Sequence, residues 1–265
     1  VAEGAFHGRT ITVIGFSTEP QYCEGFGPCT PGFTVVPYGD AAALEAAMNP
    51  NVVAVLLEPI QGESGVVVPP DGYLRAVRAS CTRHNALFIA DEIQSGLGRA
   101  GRLLASEYEG VRADIVCLGK ALSGGMYPVS AVLASTAVLG VFRPGDHGST
   151  YGGNPLGCAV AREALRVLVE EGLIERAEEL GAHLLAGLRA IDSPWIAEVR
   201  GRGLWAGIVL RPEAGGARRY VERLLAEGLL CKEAHDDVIR LGPPLVIARD
   251  ELDWALERIA RVLAG

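Results

Sequence analysis

Short apolar runs alternate with amphipathic stretches through the first half of the chain, and this alternation constrains the fold more than any other feature. Five runs have the length of a strand, at residues 10–16, 52–57, 87–90, 115–118 and 129–134. Helical stretches at residues 41–48 and 72–84 lie between them. Strands that alternate with helices predict an α/β fold with a mostly parallel central sheet and helices on both faces.

The pattern changes after Asn154-Pro155, which predicts a helix start because asparagine caps helices and proline fits their first position. Two helices, at residues 155–170 and 173–190, are expected to follow. Shorter elements come next: strands near 199 and at 204–210, 229–231 and 238–241, with helices at 217–227 and 249–263. We therefore expect a large α/β domain (1–157), linking helices (158–192) and a small C-terminal α+β domain (193–265).

The composition excludes several classes of protein. The net charge of −8 without a basic stripe argues against a nucleic-acid partner. No apolar run approaches the roughly 18 to 20 residues that cross a bilayer. The six cysteines form no CxxC pair and the five histidines show no metal spacing, so no metal site is predicted. The cysteines are expected to be reduced, which favours the cytoplasm, or the mitochondrial matrix in a eukaryote.

Lysine is rare in this chain, and one lysine lies between an apolar run and a glycine-rich segment. Lys120 and Lys232 are the only lysines among 24 basic residues. Lys120 follows the apolar run 115–118 and precedes the glycine-rich segment 121–125. Arginine cannot lose its proton, whereas a desolvated lysine can, and its amine can then attack a carbonyl to form a Schiff base. Lys120 is therefore a candidate covalent anchor.

An acidic residue lies one structural unit before this lysine. Asp91 ends the apolar run 87–90 and precedes Lys120 by 29 residues, about the length of one strand-helix-strand unit. Both residues should emerge at the carboxyl edge of a parallel sheet, where ligands of α/β proteins bind. Such a pair suits pyridoxal phosphate, with Asp91 keeping the pyridine nitrogen protonated. A structural ion pair at a strand end is the alternative.

Three further segments carry candidate binding groups. The hydroxyls and glycine N–H groups of residues 148–154 predict an anion site, or a capped turn. Glu58 and Glu63 place carboxylates at the same sheet edge, as substrate ligands or as solvated charges. Phe6 could stack on a flat cofactor and Arg9 could bind a carboxylate; otherwise they are a core ring and a surface ion pair.

Taken together, these segments resemble the class III aminotransferases of pyridoxal-phosphate fold type I, and within them the ornithine aminotransferases. The resemblance covers almost the whole chain. Its most specific stretches are residues 58–63, 90–97, 118–125 with 127–130, 147–157 and 240–247.

The resemblance implies a role for each residue of the cofactor site. Lys120 is similar to the Schiff-base lysine that also carries the proton between substrate and cofactor. Asp91 is similar to the partner of the pyridinium nitrogen, and Gln94 to the residue that contacts the phenolic oxygen. Phe6 and Ile93 would cover the two faces of the ring.

The resemblance also implies an assembly and a substrate site. Ser149 and Thr150 resemble the phosphate contact that one subunit lends to its neighbour, so a homodimer is expected. Arg9 matches the arginine that holds a substrate carboxylate. Glu63 and Arg240 resemble a switching pair, in which the carboxylate masks the guanidinium while ornithine is bound and releases it for the second carboxylate of 2-oxoglutarate.

The implied activity is transfer of the δ-amino group of ornithine to 2-oxoglutarate, giving glutamate-5-semialdehyde and glutamate. The alternatives are an acetylornithine or 4-aminobutyrate aminotransferase, another reaction on the same cofactor such as an aminomutase or decarboxylase, or a truncated module without catalysis. Family members begin well upstream of Phe6, so the chain is expected to be either a fragment of a longer enzyme or a shortened form that binds the cofactor poorly.

Overall fold

The structure is a computed structural model that describes residues 1–264. The chain forms two compact units, each built from three segments. The first unit comprises Val1–Pro59, Pro69–Leu97 and Leu104–Glu170. The second unit comprises Ile60–Val68, Gly98–Leu103 and the residues from Glu171 onward.

The first unit contains a four-stranded sheet. Its strands are β1 (Ala54–Leu57), β2 (Leu87–Asp91), β3 (Ile115–Leu118) and β4 (Ala131–Ala134), in that spatial order. Strands β1, β2 and β3 are parallel, and β4 is antiparallel to β3. The helices are α1 (Ile11–Ile14), α2 (Pro20–Cys23), α3 (Ala41–Ala47), α4 (Tyr73–Arg83), α5 (Thr136–Leu139) and α6 (Pro155–Glu170).

The core of this unit forms where α4 packs against β1 and β2. Leu57 and Phe88 from the strands and Val77 and Cys81 from the helix are fully buried there. Their apolar side chains recur at strand and helix spacing, and burying them supplies most of the driving force for this layer. Asp40 caps the neighbouring helix α3 by accepting a hydrogen bond from the Ala43 N–H at 2.8 Å.

The second unit contains an antiparallel sheet and three long helices. Its strands are β5 (Ile196–Gly201), β6 (Ala206–Leu210), β7 (Lys232–Ala234) and β8 (Val238–Leu241), in the order β5-β6-β8-β7. Its helices are α7 (Leu173–Arg189), α8 (Arg218–Ala226) and α9 (Arg249–Leu263). Leu184, Ile208, Tyr220, Ile239 and Ile259 belong to one buried cluster that joins the helices to the sheet.

The predicted α/β fold class and the strands at 52–57, 87–90, 115–118 and 129–134 are confirmed, with β1 and β4 beginning two residues later than expected. Two predictions are wrong. Residues 10–16 contain the single helical turn α1 instead of a strand. The strand expected at 229–231 lies at Lys232–Ala234, because this polar edge segment is the one that pairs with β8.

Within the described part of the chain, no helix is both long and apolar enough to cross a membrane. The same residues contain no cluster of three His, Cys, Asp or Glu side chains that could hold a metal ion.

Candidate active site

Neighbouring strand ends bring Asp91 and the segment before Lys120 side by side. Strands β2 and β3 are parallel, Asp91 pairs in register with Cys117, and the Glu92 N–H donates to the Cys117 carbonyl at 3.0 Å. A Cβ added at Gly119 would lie 3.3 Å from Ile93 Cγ2. Asp91 and Lys120 therefore leave the sheet at the carboxyl ends of adjacent strands, as their spacing predicts.

The Asp91 carboxylate is buried and held in a defined orientation. One oxygen, Oδ1, accepts a hydrogen bond from the Ile93 N–H at 3.1 Å, and the other, Oδ2, lies 2.7 Å from Nδ1 of His7. The His7 side chain is only 3% exposed. Because a carboxylate oxygen can only accept, Nδ1 carries the proton in this contact. Each oxygen of Asp91 is thus fixed by a donor from a different part of the chain.

His7 contacts the candidate acid Asp91, and the sequence interpretation did not include it among the site residues. Its second ring nitrogen, Nε2, is buried without a hydrogen-bond partner among the described residues. The Phe16 ring packs beside it, with the ring centroids 5.9 Å apart. The position of His7 between the two candidate residues Phe6 and Arg9 was the available signal.

Lys120 begins a 3-10 turn, Lys120–Ser123, that packs against helix α6. Its backbone has φ of +41°, in the left-handed region, which costs a non-glycine residue about 1–3 kcal/mol and is found more often at functional sites. The Lys120 side chain is exposed. The desolvation that was expected to activate its amine is therefore not provided by this chain alone.

Residues near the N-terminus lie close to the end of β1. Glu58, directly after that strand, is buried, and its Oε1 accepts a hydrogen bond from the Phe6 N–H at 2.8 Å. Glu58 was predicted to bind substrate, and in the structure it fixes the backbone of Phe6. The Arg9 guanidinium is exposed and stacks on the Tyr22 ring, 4.1 Å from its centroid, and lies 5.5 Å from that of Phe6.

The predicted phosphate contacts lie in an exposed segment. Residues 141–153, which include Ser149 and Thr150, are all exposed. The Ser149 hydroxyl accepts a hydrogen bond from the Gly152 N–H at 3.0 Å. Asn154 accepts one from the Gly157 N–H at 2.8 Å and so caps helix α6 as predicted.

Gln94, predicted to contact the cofactor, is half-buried and follows Ile93.

A second buried acid follows Asp91 and stabilises the local loop. The Glu92 carboxylate is fully buried and accepts hydrogen bonds from the Ser95 hydroxyl and from the N–H groups of Ala105 and Ser106. Burial raises the pKa of Glu92, and the hydrogen bonds oppose that shift. Its contacts connect the end of β2 to the 3-10 turn Ala105–Glu109.

In the second unit, the structure brings Glu63 and Arg240 into contact. Glu63 Oε1 lies 2.8 Å from Arg240 Nη1, which also donates to the Gly62 carbonyl at 3.2 Å. The two side chains are 23% and 17% exposed. Such a half-buried ion pair is strong enough to set a defined geometry, and water can still reach it.

A model of the family described as aminotransferase class-III matches residues 1–263. The chain belongs to the class-III aminotransferases. Among curated relatives of this class-III aminotransferase, the ornithine aminotransferase of Bordetella pertussis is 57% identical over 264 residues, which cover 100% of this chain and 64% of that protein. The chain thus spans less than two thirds of the length of that relative.

Solved structures agree with this assignment. An ornithine aminotransferase of Toxoplasma gondii, described with partial occupancy of PLP at its active site, has a TM-score of 0.96 and 47% identity over 99% of this chain and 62% of that one. An acetylornithine aminotransferase of Elizabethkingia anophelis has a TM-score of 0.85 and 47% identity over 88% of this chain and 63% of that one. The two structures have the same sequence identity, 47%, to this class-III aminotransferase.

Proposed function

We propose that this protein is an ornithine aminotransferase that uses pyridoxal phosphate to transfer the δ-amino group of ornithine to 2-oxoglutarate, giving glutamate-5-semialdehyde and glutamate. The observation that carries the proposal is the buried Asp91 carboxylate, held by two donors, at the strand end beside the one that leads to Lys120. An oriented acid and an amine on adjacent strand ends fit a cofactor with a basic ring nitrogen and an aldehyde.

The residues of the first unit fit pyridoxal phosphate by their chemistry. The cofactor, when bound, supplies the electron sink for the reaction. Asp91 would hold a proton on the ring nitrogen, because the contacts of both its oxygens keep the carboxylate oriented. The Lys120 amine would make the covalent link and move the proton at the substrate carbon. Gln94 would bind the phenolic oxygen, and Phe6 and Ile93 would cover the ring faces.

Arginine side chains would select the substrates. Arg9 stacks one face on Tyr22, which leaves the N–H groups at the edge of its guanidinium directed into solvent and suited to a carboxylate. Glu63 would neutralise Arg240 while the cationic ornithine is bound. Arg240, once released, would bind the second carboxylate of 2-oxoglutarate. One ion pair would in this way let the enzyme accept a cation and then a dianion.

The exposed segment 141–153 supports a homodimer. Ser149 and Thr150 would bind the phosphate group in the partner subunit. Val141, Phe142 and Tyr151 in the same segment are 71%, 57% and 77% exposed. Large apolar side chains grouped in one exposed stretch are typical of an interface between proteins.

Competing amino donors test the substrate. With 2-oxoglutarate as acceptor, we expect kcat/KM to be highest for ornithine, followed by acetylornithine and 4-aminobutyrate. Glutamate-5-semialdehyde identifies the product of ornithine. Equal or better turnover of acetylornithine or 4-aminobutyrate would overturn the choice of substrate and leave the aminotransferase chemistry in place.

Borohydride reduction tests the cofactor anchor without relying on turnover. Reduction makes the link between cofactor and lysine permanent, and peptide mapping then locates it. Lys120 and Lys232 are the only lysines of this sequence, so within it the mapping has two lysine sites to distinguish. Label on Lys120 supports the proposal, whereas label only on Lys232 contradicts it.

A further inference from the structure

Glu63 lies between two cations in the second unit. Its Oε1 contacts Arg240 Nη1 at 2.8 Å, and its Oε2 lies 3.5 Å from Nζ of Lys232. The Lys232 side chain is 64% exposed, compared with 23% for Glu63 and 17% for Arg240. The two oxygens of one carboxylate are therefore divided between a half-buried arginine and an exposed lysine.

The strand register explains how the two cations come together. Lys232 on β7 pairs directly with Arg240 on the antiparallel strand β8. Residues directly opposite each other in an antiparallel pair have their Cβ atoms about 4.5–5.5 Å apart on the same face of the sheet, and like charges there destabilise the pair. An anion that contacts both side chains offsets this repulsion, and Glu63 is that anion.

The turn that carries Glu63 is held in place by other residues. Arg200 donates from Nε to the Gly65 carbonyl at 2.9 Å and from Nη2 to the Ser64 carbonyl at 3.3 Å. Gly65 has φ of +89°, and a Cβ added at Gly207 would lie 2.6 Å from the Gly65 oxygen. The backbone of this turn is thus packed against β6. If the pair separates, the change has to occur in the side chains.

We propose that Lys232 retains the Glu63 carboxylate when Arg240 leaves it to bind the second carboxylate of a dicarboxylic oxo acid. This inference rests on the proposed role of Arg240. When Arg240 separates, Lys232 on the neighbouring strand remains as a cation 3.5 Å from the second oxygen of Glu63. The repulsion between Lys232 and Arg240 also falls as they move apart. Lys232 therefore shifts the pair toward release and favours dicarboxylate ligands.

The size of the effect follows from the exposure of Lys232. Exposed ion pairs contribute little, so the shift in ligand preference should be about two- to fivefold and should shrink as salt is added. If Lys232 is only a solvated surface cation, its charge has no effect on ligand preference at any ionic strength.

Paired ligands isolate the contribution of Arg240. Glutarate and pentanoate have the same length and differ in one carboxylate, so their ratio of Kd values reports on the second carboxylate. Calorimetry on the cofactor-loaded enzyme at low salt would measure this ratio for the wild type and two variants. Lys232→Met removes the positive charge, and Lys232→Arg keeps it. We expect the preference for glutarate to fall about two- to fivefold in Lys232→Met and to return in Lys232→Arg.

A matched control removes an exposed cation elsewhere. Arg261 is 62% exposed and pairs with Glu227 at 2.9 Å, so Arg261→Met should leave the preference unchanged. The inference is overturned if Lys232→Met keeps the wild-type preference at low salt, or if Arg261→Met lowers it equally. Arg240→Met distinguishes failure of the inference about Lys232 from failure of the proposed role of Arg240. Loss of glutarate preference in Arg240→Met supports the role of Arg240, whereas an unchanged preference refutes that role and the inference together.

Discussion

The two units hold their charged groups in different ways. In the first unit, both oxygens of Asp91 are fixed by a backbone N–H and by a buried histidine. In the second unit, Glu63 is shared by two cationic side chains that water can reach. A buried group with a full set of partners costs much free energy to disturb, whereas a half-exposed ion pair can rearrange at low cost. The first arrangement suits a permanent cofactor, and the second suits substrates that alternate.

Replacing the anchor should have the largest effect. In Lys120→Arg the side chain stays protonated and cannot make the covalent link, so we expect amino transfer to fall to the background of the assay while the fold is retained. Initial rates with ornithine and 2-oxoglutarate, together with circular dichroism, would measure both. Lys232→Arg, the same change at the other lysine, is the control and should remain active. Ordinary turnover by Lys120→Arg would refute the anchor.

Removing the charge of Asp91 should have the next largest effect. Asn has nearly the same shape but cannot stabilise a proton on the ring nitrogen, so Asp91→Asn should lower kcat about a hundred- to a thousandfold. Retention of the cofactor should weaken as well, as measured by its absorbance after dialysis. Asp253→Asn, which alters an exposed partner of His183, is the control. An unchanged kcat in Asp91→Asn would remove its proposed role.

Replacing His7 tests whether the orientation of Asp91 depends on this histidine. His7→Ala leaves one buried oxygen of Asp91 without its donor, so the free energy of unfolding should fall by about 1–3 kcal/mol. The side-chain amide of Asn can donate from a similar position, and His7→Asn should recover part of the loss. Urea denaturation would measure both variants. Equal stability of the wild type and His7→Ala would show that Asp91 does not need this contact.

Opening the ion pair between Glu63 and Arg240 should have the smallest effect of these four substitutions. Glu63→Gln leaves Arg240 unmasked, so glutamate should improve as an amino donor relative to ornithine by about tenfold in kcat/KM, which corresponds to about 1.4 kcal/mol. Glu227→Gln breaks the exposed pair with Arg261 and serves as the control. If the donor ratio does not change in Glu63→Gln, the pair does not act as a switch.

Local sequence patterns predicted most of the first sheet. The apolar runs that became β2 and β3 are short, rich in branched residues and bounded by turn residues, and those features are local. The run at 10–16 has the same character but contains the helical turn α1. Ile14 and Phe16 are buried there while Ile11 is exposed, so tertiary packing overrode the strand preference.

Contacts between distant residues could not be predicted in the same way. His7 and Asp91 are 84 residues apart, and Lys232 and Glu63 are 169 apart. Nothing in the local sequence of either partner indicates the other. The position of the edge strand β7 was predicted wrongly for a related reason. The predicted segment 229–231 is more apolar than Lys232–Ala234, but its Leu230 is 89% exposed, and the polar segment that begins with Lys232 is the one that pairs with β8.

The path of the chain has a consequence for how the protein can be divided. Ile60–Val68 and Gly98–Leu103 belong to the second unit although first-unit sequence flanks both of them. A piece expressed from Glu171 onward would lack Glu63, and it would lack Arg99, which donates to the carbonyls of Leu204 and Pro243. During synthesis, these two segments leave the ribosome long before the strands they pack against. Neither unit can therefore be produced as one uninterrupted stretch of polypeptide.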